Sequence, residues 1–333
     1  MTLFNMIYGI YLYIVLQSIF VSKKDIKTTI SINDSYLLRG MAISFIVLHH
    51  IAQRFSNIQL VHIIILIYDD WLVGLFFFLS GYGNYISLKK SKTASKWLLK
   101  RIFTILCYFI FGLLLNLVLN FHLYTSFQTF VLDLITVTYK PYTLWYLKVL
   151  ICFYIFTYIF NRLFKNQFLG TVIISILTII YTVLCFVNKV EPFWWTSAIC
   201  YPFGLFIAQK TDFVQRISKK KIINIFLAIF LLLTLLLVKY DILHPISSVV
   251  FCYFVYLFLC NRTLGDNILM KFLGKTSFGL YLYHIIFITF CLKLFGNIEK
   301  IFPILIILIG SIVCSAIVYI LTGINKHNKK ITS

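Results

Sequence analysis

Long apolar stretches separated by short polar clusters set the rhythm of this chain. A membrane-crossing helix needs about 17–25 predominantly apolar residues to span roughly 30 Å of hydrocarbon. Eleven stretches fit or come near that length: residues 3–21, 36–54, 70–88, 102–121, 143–160, 170–188, 193–209, 222–238, 245–261, 277–296 and 301–322. Two of them, 193–209 and 245–261, are short or have a proline close to their start, and these are expected to tilt or break. No connection is longer than about 25 residues. The pattern therefore predicts an all-α, polytopic membrane bundle of about eleven helices, with its chemistry inside the bundle or at its two mouths.

Composition agrees. Of 333 residues, 61% are hydrophobic and 12% charged, against about 25% charged in ordinary soluble proteins. The mean hydropathy is +0.94. The net charge of +20 would fit a nucleic-acid ligand, but its distribution argues otherwise. With the N-terminus outside, 23 of the 30 Lys and Arg residues fall in inner loops or inner helix ends, as the positive-inside rule requires. The charge is then an orientation signal, nucleic acid drops out, and the C-terminus is expected in the cytoplasm. Residues 1–20 lack a basic leader, so they read as a retained helix rather than a secretory signal. The eight cysteines lie in apolar runs without a C-x-x-C pair. They read as packing thiols, not as a disulfide framework or a metal site.

Ionisable groups within apolar helices are costly to desolvate and point to function. Arg39 opens an apolar run that ends in His49 and His50. Eleven residues of helix separate Arg39 from His50 by about 16 Å. The plain alternative is an arginine snorkelling to lipid phosphate and a histidine in the outer interface. Adjacent histidines point about 100° apart and are not expected to share one job. Asn33 or Asp34 is a candidate cap for this helix. The third helix carries Leu75-Phe-Phe-Phe-Leu-Ser-Gly-Tyr-Gly83, in which the small pair Ser80-Gly81 allows close approach of a helix or a ligand. The Gly-Tyr-Gly lacks the Thr-Val lead of a potassium filter. A basic run from Lys89 through Lys100 and Arg101 sets topology and also offers anionic ligands a landing surface. Trp145 and Tyr146 fit an outer aromatic belt, whereas Lys148 is deep enough to face a polar cavity. His284 is expected about two turns into the helix that Lys275 and Thr276 open.

These stretches, in this order, resemble acyltransferase family 3, the membrane acyltransferases that O-acylate bacterial surface glycans. Arg39 to His50 is similar to the family's Arg-x10-His pattern, which selects His50 over His49. LFFFLSGYG, WLLKRI, LWYLKVLICFY and TSFGLYLYH resemble four further family segments. The likeness covers roughly residues 33 to 322. It implies an acyltransferase domain at 33–323, an added N-terminal helix and link at 1–32, and a basic tail at 324–333. It further implies transfer of an acyl group, most often acetyl from cytosolic acetyl-CoA, to a hydroxyl of a polysaccharide or lipid-linked glycan outside the bacterial plasma membrane. In that reading His50 is the general base, or carries the acyl group itself. Arg39 holds a CoA phosphate or the inner gate. Ser80, Lys100, Arg101 and His284 serve the donor, and Trp145, Tyr146 and Lys148 the acceptor; no metal is called for. Gly74 departs from the family, many of whose members carry an acid there. A glycan transporter or flippase is the alternative, and it leaves the Arg-x10-His spacing unexplained. A purely structural subunit would leave Arg39 and His50 replaceable.

Overall fold

The computed structural model describes residues 29–54, 69–91, 93–120, 126, 128–129, 144–236, 240–261, 264–298 and 300–323. Among these it is entirely helical, with no strand. The helices are α1 (Ile32–Ala52), α2 (Asp69–Lys90), α3 (Ala94–Asn120), α4 (Leu144–Leu163), α5 (Gln167–Val187), α6 (Cys200–Gln209), α7 (Thr211–Ser218), α8 (Lys221–Leu236), α9 (His244–Asn261), α10 (Ile268–Phe295) and α11 (Ile301–Leu321). Among the described residues, eight helical segments are long and apolar enough to cross a membrane, and the chain is a multi-pass membrane bundle. The helix expected over 3–21 and the tail at 324–333 lie outside the described residues.

Local sequence accounts for where the helices start. Ser31, rather than Asn33 or Asp34, caps α1: its hydroxyl accepts from Asp34 N at 3.1 Å and donates to the Asp34 carboxylate at 2.6 Å. This satisfies one of the first-turn N–H groups that have no partner within the helix. Asn267 caps α10 by accepting from Met270 N at 3.0 Å. That cap starts α10 nine residues before the expected position 277, so Lys275 sits inside the helix. The 193–209 stretch does break, as its proline neighbourhood foretold. A 3-10 turn at Pro192–Trp194 leads through an irregular turn into the ten-residue α6. All eight cysteines are unpaired.

Burial sorts the helices into centre and rim. The membrane-spanning parts of α1 and α2 are each 67% buried and that of α10 56%, against 22% for α3 and 33% for α11. The rim helices show Leu, Ile, Val and Phe outward, as lipid-facing helices do. Central helices meet through glycine, because membrane helices associate by close packing rather than by a hydrophobic drive. A Cβ on Gly40 would run into the Met270 carbonyl, and one on Gly274 into the Tyr36 carbonyl, so α1 and α10 touch backbone to backbone. The same holds for α2 and α6, where Gly81 abuts the Tyr201 carbonyl and Gly204 the Phe78 carbonyl. Gly81 thus does what the small pair in LSGYG predicted, and the Gly-Tyr-Gly lies in mid-helix.

Candidate active site

The α1–α10 pair carries the ionisable groups. Gly40 and Gly274 mark their crossing, and His50 and His284 meet with ring centroids 5.2 Å apart, their planes inclined by 27°. Each histidine follows its glycine by ten residues, about 15 Å of helix. The two helices therefore run parallel and in step, from a glycine end to a histidine end.

At the glycine end lies a cavity of about 200 Å³, lined among others by Arg39, Ser80, Arg101, Tyr146, Lys275 and Tyr281. Three cations face it and no Asp or Glu lines it among the described residues. Arg39 Nε is buried without a hydrogen-bond partner. Arg101 Nη2 donates to Ser87 Oγ at 3.1 Å, and Trp97 Nε1 donates to the same hydroxyl at 2.8 Å, which fixes the guanidinium on α3. Lys275 Nζ lies 5.7 Å from the centre of the Tyr36 ring. Cations that repel one another at low dielectric, with no carboxylate among them, form a site for an anion. Guanidinium groups suit phosphate in particular.

Aromatic rings join this cavity to the histidines. Tyr146 and Tyr281 line it with centroids 5.0 Å apart, and Tyr281 is 6.2 Å from His284. His284 is fully buried. Its Nδ1 donates to the Leu280 carbonyl at 2.8 Å, so the lone pair is on Nε2, which has no hydrogen-bond partner. His50 is half-buried at the mouth. A buried acceptor without a partner beside a second imidazole is an arrangement able to receive a substrate's donor group or proton.

The structure brings some expected residues together and leaves others apart. Arg39, Ser80, Arg101 and Tyr146 share the cavity, and His50 and His284 stack at the other end of the α1–α10 pair. Lys100 is exposed and does not line the cavity, because consecutive helical positions point about 100° apart. Trp145 and Tyr146 are buried, 7% and 4% exposed, rather than set in an outer belt. Trp145 packs on Phe77, Phe193 and Trp194, and Lys148 Nζ stands 5.6 Å from the Trp194 ring centre. Neither lines the cavity. A Cβ at Gly74 would meet Cys200 Sγ at 3.0 Å and Ser248 Cβ at 3.3 Å, so α6 and α9 fill the space that an acid would need.

Three features escaped the sequence reading. Lys275 was assigned to a helix end. Tyr281 was visible as the position three before His284, on the same helical face. The third is a short hydrogen bond between His244 Nδ1 and Asp70 Oδ2 at 2.5 Å, beside which Thr196 Oγ1 donates to Asp70 Oδ1 at 2.8 Å. It ties α2, the turn before α6, and α9 together, and no local signal links residues so far apart in the chain.

Neither the curated proteins nor the solved structures hold a match to the chain. The family model described as "Acyltransferase domain" matches residues 32–322, the full course from the first turn of α1 to the end of α11. The chain belongs to acyltransferase family 3 and is a membrane acyltransferase.

Proposed function

We propose that the chain is an O-acetyltransferase of the bacterial plasma membrane, moving an acetyl group from cytosolic acetyl-CoA to a hydroxyl of a cell-surface polysaccharide or its lipid-linked precursor. The observation that carries this reading is the parallel α1–α10 pair, with a three-cation cavity at one end and a histidine pair about 15 Å away. An acyl-CoA has its phosphates and its thioester at opposite ends of a long arm, which matches that division. The cavity is smaller than the roughly 300–1,000 Å³ of whole-ligand pockets. It takes one end of the donor, with Arg39, Arg101 and Lys275 on phosphate oxygens. The glycine end then faces the cytoplasm and the histidine end the outside, in line with the distribution of Lys and Arg along the chain.

A hydroxyl is a weak nucleophile until a base takes its proton, and a neutral imidazole suits that task near pH 7. His50 accepts the proton as the acceptor oxygen attacks the thioester carbonyl. When the C–S bond breaks, His50 returns the proton to the departing sulfur, giving the acetyl ester and a free thiol. His284 Nε2 supplies a hydrogen-bond acceptor that holds the reacting end in place, with Ser80 and Tyr281 along the route. Trp145 and Lys148 belong to the structural frame of the acceptor mouth.

The test is deletion of the protein and complementation with wild type or His50→Ala, read by the O-acetyl proton NMR signals of the surface polysaccharide. Wild type should restore them, and the mutant, present at equal level, should not. Loss of the polysaccharide itself in the deletion, with export restored by His50→Ala, would establish transport instead.

A further inference from the structure

His49 and His50 do have a common partner, one turn further along α1. Gln53 lies four residues after His49 and three after His50, the two spacings that bring helical side chains together. Gln53 Nε2 is 2.8 Å from His49 Nε2, and Gln53 Oε1 is 3.2 Å from His50 Nδ1. An amide nitrogen only donates and an amide oxygen only accepts. His49 Nε2 is therefore the bare nitrogen of its ring, and His50 Nδ1 carries the proton. A neutral imidazole has one proton, so His50 Nε2 is left with the lone pair. We infer that Gln53 is a positioning residue that fixes the tautomer in which His50 works as a base, with His49 as the second partner of its amide.

The inference rests on the role proposed for His50 and adds what that role requires. A general base must offer its lone pair at one defined nitrogen, and the partner of the other ring nitrogen decides which one. Carboxylates often do this. Here the partner of His50 Nδ1 is the Gln53 amide. An amide cannot carry charge, so it orients the ring without adding an anion at the mouth. His49 is 4% exposed and its ring stands at 73° to that of His50, 5.2 Å away. This near-perpendicular pair lets one amide bridge both rings. The fold of α1 does not depend on the Gln53 side chain, because its backbone N–H closes the helix on the His49 carbonyl at 2.9 Å.

The experiment needs no ligand. The full chain, labelled with nitrogen-15 at histidine only, is placed in phospholipid vesicles and studied by solid-state NMR at mildly alkaline pH, where free imidazole is neutral. The His50 signals are assigned by their loss in His50→Ala. Wild type should show His50 protonated at Nδ1 and bare at Nε2. Gln53→Met, close in size but unable to hydrogen-bond, should give His50 in mixed tautomers and lower polysaccharide O-acetylation by roughly 10²-fold, the scale of a misplaced catalytic group. Gln53→Glu still accepts from His50 Nδ1, so it should keep that tautomer and most of the activity while forcing a proton onto His49 Nε2. Finding His50 protonated at Nε2 in wild type, or unchanged in Gln53→Met, overturns the inference. Normal acetylation by His50→Ala is a different failure: it removes the proposed function and leaves the tautomer result standing.

Discussion

Two pairs of helices in this bundle cross at glycine, and they differ in what they do with buried polar groups. At α2–α6, behind Gly81 and Gly204, the buried Tyr201 hydroxyl accepts from Asn84 Nδ2 at 3.0 Å and is hydrogen-bonded to Thr157 Oγ1 at 2.9 Å. The Tyr201 ring stacks on Phe153 at 4.4 Å, nearly coplanar at 6°. At α1–α10, behind Gly40 and Gly274, Arg39 Nε and His284 Nε2 are both buried and both without hydrogen-bond partners. Leaving a buried polar atom unpaired costs about 1–3 kcal/mol, more for a charged group. The same packing device thus backs a hydrogen-bonded tyrosine in one place and an unpartnered pair in the other. Under the proposed function, the unpartnered atoms at α1–α10 are the ones that the donor and acceptor would meet.

The largest effects that test this contrast come from the crossings themselves. Gly274→Ala sets a methyl against the Tyr36 carbonyl, and Gly81→Ala sets one against the Tyr201 carbonyl. Backbone cannot rotate away as a side chain can, so each pair of helices must separate. Overpacking costs roughly 1–3 kcal/mol, and both variants should lower the melting temperature in detergent. Activity divides them. Per folded molecule, Gly274→Ala should lose acetylation at least about ten-fold, because a shift of about 1 Å can upset reacting geometry, while Gly81→Ala should stay near wild type. Equal losses would mean that α2–α6 is as close to the chemistry as α1–α10.

Arg39→Met comes next and should move stability and activity in opposite directions. It removes a largely buried cation that has no carboxylate partner among the described residues, and replacing such a charge with an apolar side chain is often stabilising. The melting temperature should rise or hold. Acetylation should fall about ten-fold or more at low acyl-CoA and recover in part at high concentration, the sign of lost donor binding. A melting temperature that falls together with activity would make Arg39 a structural residue with a partner after all. Ser80→Ala is smaller, removing one neutral hydroxyl from the cavity wall. It should change the apparent donor affinity about two- to five-fold, within the ~1 kcal/mol of an ordinary hydrogen bond, and leave the melting point unmoved.

The order of these effects follows how legible each part was in the sequence. The course of the long helices came from the length of apolar runs, since crossing a bilayer takes a minimum length; of the eleven expected crossings, eight are long and apolar enough among the described residues, and 3–21 lies outside them. A nearby proline foretold the breaking of 193–209, but 245–261, read by the same signal, is the single unbroken helix α9, whose Pro245 sits in the first turn where no N–H is needed. Helix starts were harder, because a cap depends on a single side chain such as Ser31 or Asn267, and apolarity carries no trace of it. Arg39 and His50 stood out as ionisable groups in an oily run, but their partners were not readable. Which of Lys100 and Arg101 faces inward is a matter of helical phase. That His284 stacks on His50 is a contact across 234 residues of chain. Gln53 is readable by spacing alone, three residues after His50 and four after His49.

The smallest effect belongs to the glycine that looks most like part of a motif. Gly83 closes LSGYG, two residues after Gly81, yet a Cβ there would meet nothing within 4 Å. If the segment mattered as a signature, Gly83→Ala should resemble Gly81→Ala. If each glycine matters only for the space in front of it, Gly83→Ala should fold and acetylate as wild type does. It should even melt slightly higher, because alanine is better than glycine inside a helix by up to about 1 kcal/mol. The pair of variants, read side by side for melting temperature and for O-acetyl signal, separates the two ideas within one turn of α2. A loss of activity at Gly83 without a loss of stability would point to a ligand that approaches α2 closely enough to need the bare backbone.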